Sequence, residues 1–227
     1  MTEPAEVVTA SENEVFDVEL ELDILEENRR LADENRKRFR SAGVKAIDVM
    51  GSVGSGKTSL IKAMISSLKG RLRIAVIEGD VTTTIDSELI ASEGVRAVQI
   101  NTGKECHLDA NLIRKALDRL PLTELDVVFI ENVGNLICPA EFPLGSEKRL
   151  VVISVTEGPY MVLKHPMMFL GADVVAINKI DLSGAMEVKP EKIATDITKL
   201  NPRTITVPTS CRAKSGIDDV ISALELG

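Results

Sequence analysis

The chain lacks the surplus of positive charge that a nucleic-acid partner would need. Its 227 residues carry 27 Lys and Arg against 35 Asp and Glu, a net charge of -8, so phosphate backbones are repelled and no nucleic-acid partner is expected. No apolar run approaches the roughly 20 residues that span a bilayer. The N-terminal Met1-Thr2-Glu3-Pro4-Ala5-Glu6 has neither a positive n-region nor a following apolar core, so no membrane is expected and the expected compartment is the cytoplasm. Cysteine is scarce: only Cys106, Cys138 and Cys211 occur. An odd count without framework spacing argues against a disulfide scaffold and leaves thiol chemistry or simple burial in a reducing compartment. Internal repeats and low-complexity segments are also missing.

The length suits one α/β domain with a large core, and two full domains would be cramped. Residues 1–17 are acidic and aperiodic and read as a mobile tail. Residues 18–42 read as an N-terminal helix docked beside the domain, with Leu22, Leu25, Ala32 and Phe39 recurring near helical spacing between charges. From 43 to 227, β-rich runs at 46–50, 74–77, 97–100, 127–130, 150–155, 174–177 and 204–207 are mostly separated by helical stretches. Near-continuous Val and Ile runs alternating with helices predict an α/β fold with a mainly parallel sheet and helices on both faces, and the run Gly51 to Thr58, which fits the P-loop pattern, makes it the P-loop NTPase class. Ligands of such sheets bind beyond the carboxyl ends of the strands.

Two motifs define the ligand. Gly51-Ser52-Val53-Gly54-Ser55-Gly56-Lys57-Thr58 fits the P-loop pattern, lying between an apolar strand and an amphipathic stretch that begins at Ser59. Its glycines turn successive backbone N–H groups inward around phosphates, where a helix N-terminus adds about half a positive charge. Gly54, Ser55, Gly56, Lys57, Thr58 and Ser59 are therefore the expected phosphate-binding set, with Lys57 on the β- and γ-phosphates and Thr58 offering its hydroxyl to Mg²⁺. Asn178-Lys179-Ile180-Asp181 follows another strand and fits the pattern that reads guanine. Asp181 can accept two hydrogen bonds from the guanine N1 and N2 groups, a donor pair adenine lacks, so the nucleotide is GTP or GDP. Lys179 either packs over the base or ties the P-loop to this segment. Ser210 and Cys211 lie in Thr209-Ser210-Cys211-Arg212-Ala213-Lys214, which follows the last strand and resembles the loop whose backbone meets guanine O6 in GTPases.

The acids at strand ends supply the remaining candidates. Asp80, in Glu78-Gly79-Asp80, is the candidate Mg²⁺-linked switch carboxylate. In Glu131-Asn132-Val133-Gly134, Glu131 is placed to hold a Mg²⁺-bound water and Gly134 to donate its N–H to the γ-phosphate. Either acid could instead cap a helix. Lys57, Asp80 and Glu131 form the expected catalytic set. No Gln or Arg beside these motifs is marked as catalytic, so slow intrinsic hydrolysis is expected, raised by charge supplied in trans.

A second site is suggested by Cys106-His107, in the loop after one strand, and Cys138-Pro139, just past Gly134. Both segments leave the carboxyl edge of the sheet. Two sulfurs and one nitrogen suit Zn²⁺ or Ni²⁺ and match Mg²⁺ or Ca²⁺ poorly; burial of each cysteine is the other fate open to them.

Taken in order, Gly51 to Thr58, Glu78-Gly79-Asp80, the Thr102-Gly103 to Cys106-His107-Leu108-Asp109 loop, Glu131 to Asn135 with Cys138-Pro139, and Asn178 to Asp181 resemble the HypB family. These are the SIMIBI-class GTPases of nickel incorporation in [NiFe]-hydrogenase maturation. The resemblance runs from about Glu26 nearly to the end. It implies a nickel or zinc site from Cys106, His107 and Cys138, Mg·GTP held by Lys57, Thr58 and Asp80, and a nucleotide-linked homodimer. It also implies delivery of nickel to the hydrogenase large subunit or an accessory nickel-binding maturation protein. The N-terminus has no Cys cluster or His-rich tract, so nickel storage is not implied. The stretch 155–166 keeps only part of the family's charged pattern, which leaves Lys164 without an implied cross-dimer role and His165 as a packed residue or a ligand. Three rivals remain: a urease-type nickel GTPase, which joins Cys-Pro directly to His where this chain has Ala140; a P-loop small-molecule kinase; and a metal carrier with a vestigial nucleotide pocket.

Overall fold

The structure is a computed structural model that describes residues 18–80, 93–103 and 105–227, with side chains from Leu22 onward. The expected tail at 1–17 lies outside the described residues, as does Lys104 of the cysteine loop. Seven strands, β1 (Lys45–Met50), β2 (Ile74–Asp80), β3 (Arg96–Asn101), β4 (Val127–Glu131), β5 (Lys148–Ser154), β6 (Val174–Asn178) and β7 (Ile205–Pro208), form one sheet in the order β3-β2-β4-β1-β5-β6-β7. Every pairing is parallel. This is the parallel P-loop architecture expected from the Val and Ile runs, whose inner strands are buried on both faces. β1 is the topological switch: β2 to β4 lie on one side of it and β5 to β7 on the other, so the loop after β1 opens into the crevice between the two halves.

The helices cover both faces. On one, α2 (Lys57–Leu68) and α9 (Ile217–Ala223) pack Leu60, Ile61, Met64, Val220 and Ile221 over Ile47, Val49 and Phe129. On the other, α1 (Val18–Ala42) and α3 (Ala110–Leu117) cover Ala46, Ile77, Val128 and Ile130. Beside them α5 (Met161–Lys164), α6 (Pro166–Leu170) and α8 (Pro190–Leu200) cover Val151, Ile153, Val175 and Ile177. Two single-turn helices, α4 (Cys138–Glu141) and α7 (Ser183–Met186), complete the α-helices of the described residues. Among the described residues no helix is long and apolar enough to cross a membrane.

The docked face of α1 differs from the expected apolar stripe. Leu22 points to solvent, and the buried residues are Asn28, Leu31, Ala32, Asn35 and Phe39. The two asparagines follow the same helical spacing as the apolar residues and are buried because their amides have backbone partners. Asn28 Nδ2 donates to Pro143 O at 3.0 Å and its Oδ1 accepts from Ala110 N at 2.8 Å. Asn35 Nδ2 donates to Ala110 O at 2.8 Å and Leu144 O at 3.2 Å. The helix therefore fastens together the segments that follow β3 and α4.

Candidate nucleotide and metal site

The loop between β1 and α2 takes its shape from glycine. Gly56 precedes α2 at φ 101°, in the left-handed region, and a Cβ there would collide with the Asn178 side chain. Lys57 opens α2 and is buried, its Nζ donating to Gly51 O at 3.3 Å and Ser52 O at 3.1 Å. A cleft of about 550 Å³ lies over this loop, lined by Gly54, Gly56, Lys57, Thr58 and Ser59, by Glu78 and Asp80 at the end of β2, and by Glu131, Asn132 and Gly134 after β4, with Lys179 at its side. The residues expected to bind phosphate and Mg²⁺ thus share one concavity at the carboxyl edge of the sheet, with Ser55 fully buried beneath it. Thr58 Oγ1 donates to Glu131 Oε1 at 2.7 Å, which brings together the two oxygens read as Mg²⁺-linked. Gly134 lies against the P-loop so closely that a Cβ would meet Val53.

The segment expected to read guanine is tied to the same loop. Asn178, at the end of β6, donates from Nδ2 to Ser55 O at 3.0 Å. Lys179 takes φ 59° and donates from Nζ to Gly54 O at 2.6 Å, so of its two expected roles the tie to the P-loop is the one present. Asp181 Oδ1 accepts from Ser210 Oγ at 2.6 Å, and the same hydroxyl accepts from Ala213 N at 3.1 Å, fixing the carboxylate against the loop after β7. Cys211 Sγ lies 3.6 Å from Asn178 Oδ1, and burial pushes its thiol pKa up.

Glu157 was not singled out by sequence reading. Its carboxylate accepts from Ser154 N at 2.8 Å in a capping box at the end of β5. Burial raises its pKa, opposed by the bond from Ser154 N and by the charges of Lys179 and Lys57. It thus stands behind the P-loop as an acid facing both lysines. The Ser154-x-x-Glu157 spacing was the available signal.

Beside Gly134 the cysteine segments converge. Sγ atoms of Cys106 and Cys138 lie 2.9 Å apart, His107 Nδ1 is 4.0 Å from Cys106 Sγ, and all three ligand atoms fall within 4.8 Å of one another. This clustering brings the three donors near enough that small side-chain shifts would let them share one ion. Local structure explains the convergence. Asp109 caps α3, accepting from Leu112 N at 2.7 Å, which ends the loop one residue after Leu108. Cys138 opens α4, where Pro139 is tolerated because the first turn needs no N–H. His107 stacks on Phe142 with ring centroids 3.9 Å apart. Burial lowers the His107 pKa and keeps the ring neutral, the form that binds metal, against the pull of Glu105, Asp109 and Glu141. The neighbouring Cys106 sulfur, then burial, raise the Cys138 thiol pKa, so a cation would have to displace its proton. His165 sits between α5 and α6 with its backbone N–H on Met161 O and is not a member of this cluster.

A model of the CobW/HypB/UreG nucleotide-binding domain matches residues 45–208. The chain belongs to the CobW/HypB/UreG family. Within that family its relatives are HypB proteins, in agreement with the motif resemblance. It is 49% identical over 203 residues to a protein of Methanocaldococcus jannaschii named probable hydrogenase maturation factor HypB, covering 89% of this chain and 92% of that one. Hydrogenase maturation factor HypB of Escherichia coli K12 is 42% identical over 208 residues, covering 92% of this chain and 72% of that protein. Among solved structures, HypB of Archaeoglobus fulgidus superposes with a TM-score of 0.82 at 41% identity, covering 88% of this chain and 97% of that one. HypB of Helicobacter pylori, solved in complex with nickel, gives 0.84 at 34% identity, covering 88% and 94%.

Proposed function

We propose that this chain is a nickel-binding GTPase that delivers the metal during [NiFe]-hydrogenase maturation, coupling GTP binding and slow hydrolysis to metal release. The observation that carries the proposal is the gathering of Cys106 and His107 with Cys138, which is four residues beyond Gly134 of the P-loop cleft. Nickel is the cargo, held by two thiolates and one imidazole with a coordination position left for water or a ligand from elsewhere; zinc fits the same donors. The names of the HypB relatives and the nickel in the Helicobacter pylori structure support the choice of cargo and acceptor pathway.

In this reading Lys57 and the P-loop amides bind the phosphates, Asp181 selects guanine, and the loop at Ser210 and Cys211 closes over the base. Thr58, Asp80 and Glu131 offer hard oxygen donors that fit Mg²⁺, either directly or through water. When bound, that ion neutralises charge on the β- and γ-phosphates. Because Cys138 lies in the same loop as Gly134, the γ-phosphate state and the direction of its sulfur are linked. Metal and nucleotide affinities then change reciprocally, by about 1–3 kcal/mol. Residues 43–227 form the GTPase unit and 18–42 a brace on it. The exposed Tyr160, Leu163 and Met167 give an apolar face for a nucleotide-linked homodimer in the cytoplasm.

Metal content and native mass measured on one sample, loaded in turn with GDP and with a non-hydrolysable GTP analogue, test this. The expected result is one set of metal sites per chain, lost in Cys138→Ala, with mass and nickel affinity both changing with nucleotide. Equal nickel affinity in the two nucleotide states would remove the coupling. Many GTP turnovers per second from the purified monomer would refute slow intrinsic hydrolysis.

A further inference from the structure

We infer that Asn132 is the positioning residue through which the phosphate-sensing loop sets the place of the metal ligands. The inference rests on the proposed coupling of nucleotide and nickel, and names the side chain that carries it. Asn132 follows β4 directly, lines the phosphate cleft and is only 1% exposed. Its backbone N–H donates to Val49 O on β1 at 3.0 Å. Its Oδ1 accepts from Leu108 N at 3.0 Å and from Val133 N at 3.1 Å, and its Nδ2 donates to Asp48 Oδ1 at 3.3 Å. One amide therefore joins the strand beneath the P-loop, the residue beside Gly134, and the residue immediately after His107.

The geometry gives this link leverage. Leu108 is fully buried and packs on Gly79 so tightly that a Cβ there would meet its side chain. A shift at Val133 and Gly134 must therefore either break the buried bond to Leu108 N or carry Leu108, and with it His107 and Cys106, along. Breaking it leaves a buried N–H without a partner, which is the costlier course in a low-dielectric interior. Asn135 adds a second, more exposed thread in the same direction: Nδ2 donates to Cys106 O at 3.4 Å, Oδ1 accepts from Ile137 N at 2.9 Å, and the backbone N–H donates to Gly51 O at 3.1 Å. Both sides of the metal trio are thus wired to the loop that touches the P-loop, and Asn132 is the buried wire.

The test compares four proteins: wild type, Asn132→Ala, Asn132→Asp, and Asn132→Asp combined with Asp48→Asn. Two quantities are read: the ratio of nickel Kd values with GDP and with a non-hydrolysable GTP analogue, and hydrogen exchange of the Leu108 amide in metal-free protein under the same two nucleotides. The wild-type ratio is expected to differ from unity by about 5- to 150-fold, with Leu108 exchange following the nucleotide. In Asn132→Ala the ratio falls towards unity, leaving only what the exposed Asn135 thread and the Gly134–Cys138 segment carry, and Leu108 exchange no longer depends on nucleotide. Asn132→Asp keeps the acceptor for Leu108 but sets a carboxylate against Asp48, and reduces the ratio. The double variant exchanges donor and acceptor of the same buried bond and restores it, which a merely structural role would not require. A wild-type ratio of unity overturns the coupling and this inference with it. A wild-type ratio retained in Asn132→Ala overturns the inference alone. If the alanine variant does not fold, the near-isosteric swap decides: failure of the double variant to recover the ratio lost in Asn132→Asp overturns the assignment.

Discussion

Replacing Asp48 by asparagine is expected to stabilise the fold at neutral pH. Asp48 lies in the central strand β1, fully buried, with Oδ1 accepting from Asn132 Nδ2 at 3.3 Å and Oδ2 without a hydrogen-bond partner among the described residues. Burial raises its pKa from 3.8 to about 6, and the nearby Arg149 charge and the Asn132 bond offset only part of that. The folded state therefore holds its proton more tightly than the unfolded chain does. Below pH 3.8 both states are protonated and the residue makes no pH-dependent difference. Between 3.8 and about 6 the unfolded chain ionises first, so stability falls as pH rises, and above that window the whole penalty remains. The interval corresponds to about 3 kcal/mol at roughly 1.4 kcal/mol per pH unit. Asparagine keeps the shape and an acceptor for Asn132 but has no charge to bury. Urea unfolding of metal-free and nucleotide-free protein, followed from about pH 4 to pH 8, should give similar stabilities at the acid end and an advantage of about 2–3 kcal/mol for Asp48→Asn at the neutral end. Parallel curves for the two proteins, or a variant weaker at pH 8, would refute the reasoning.

Three further outcomes are expected. Asp181→Asn removes two charge-assisted bonds to guanine, about 1.5–3 kcal/mol each, so GDP affinity should fall about 10²- to 10⁴-fold in a fluorescent-nucleotide titration; xanthosine diphosphate, which carries an acceptor in place of the N2 donor, should gain. Asn35→Ala leaves the carbonyls of Ala110 and Leu144 without their shared donor, costing about 1–3 kcal/mol in urea unfolding and weakening nickel more than GDP in calorimetry; unchanged stability and unchanged nickel affinity would refute the bracing role of α1. Cys138→Ser replaces a soft donor by a hard, weakly acidic one, so native mass spectrometry should show loss of nickel with GDP still bound, and a metal-loaded variant would count against the trio.

The nucleotide pocket was legible because its signals are local. A P-loop needs its glycines, lysine and threonine in one uninterrupted run, and the segment proposed to read guanine, Asn178 to Asp181, comes directly after a strand, so spacing alone marks both as candidates. The strands were legible for a related reason: residues 74–77, 127–130 and 174–177 are buried on both faces, and only continuous apolar runs meet that condition. The face of α1 was not legible. Asn28 and Asn35 look like solvent-facing residues until the carbonyls of Pro143, Ala110 and Leu144 are brought to them. Leu22 looks like part of the docked stripe until the helix is seen to extend past its support.

By itself, then, the order of residues determined that the chain folds as a parallel P-loop protein of the HypB type and marked the candidate side chains for a nucleotide. Tertiary structure decided that Cys106 and Cys138, 32 residues apart, face each other at 2.9 Å. It also decided that Asn132 bridges Asp48 to Leu108, and that Asp48 carries a buried carboxyl. Each of these depends on which strands lie side by side, since β4 inserts between β1 and β2 and sets its following loop against both. Strand order is a property of the whole packed sheet, and no window of sequence encodes it.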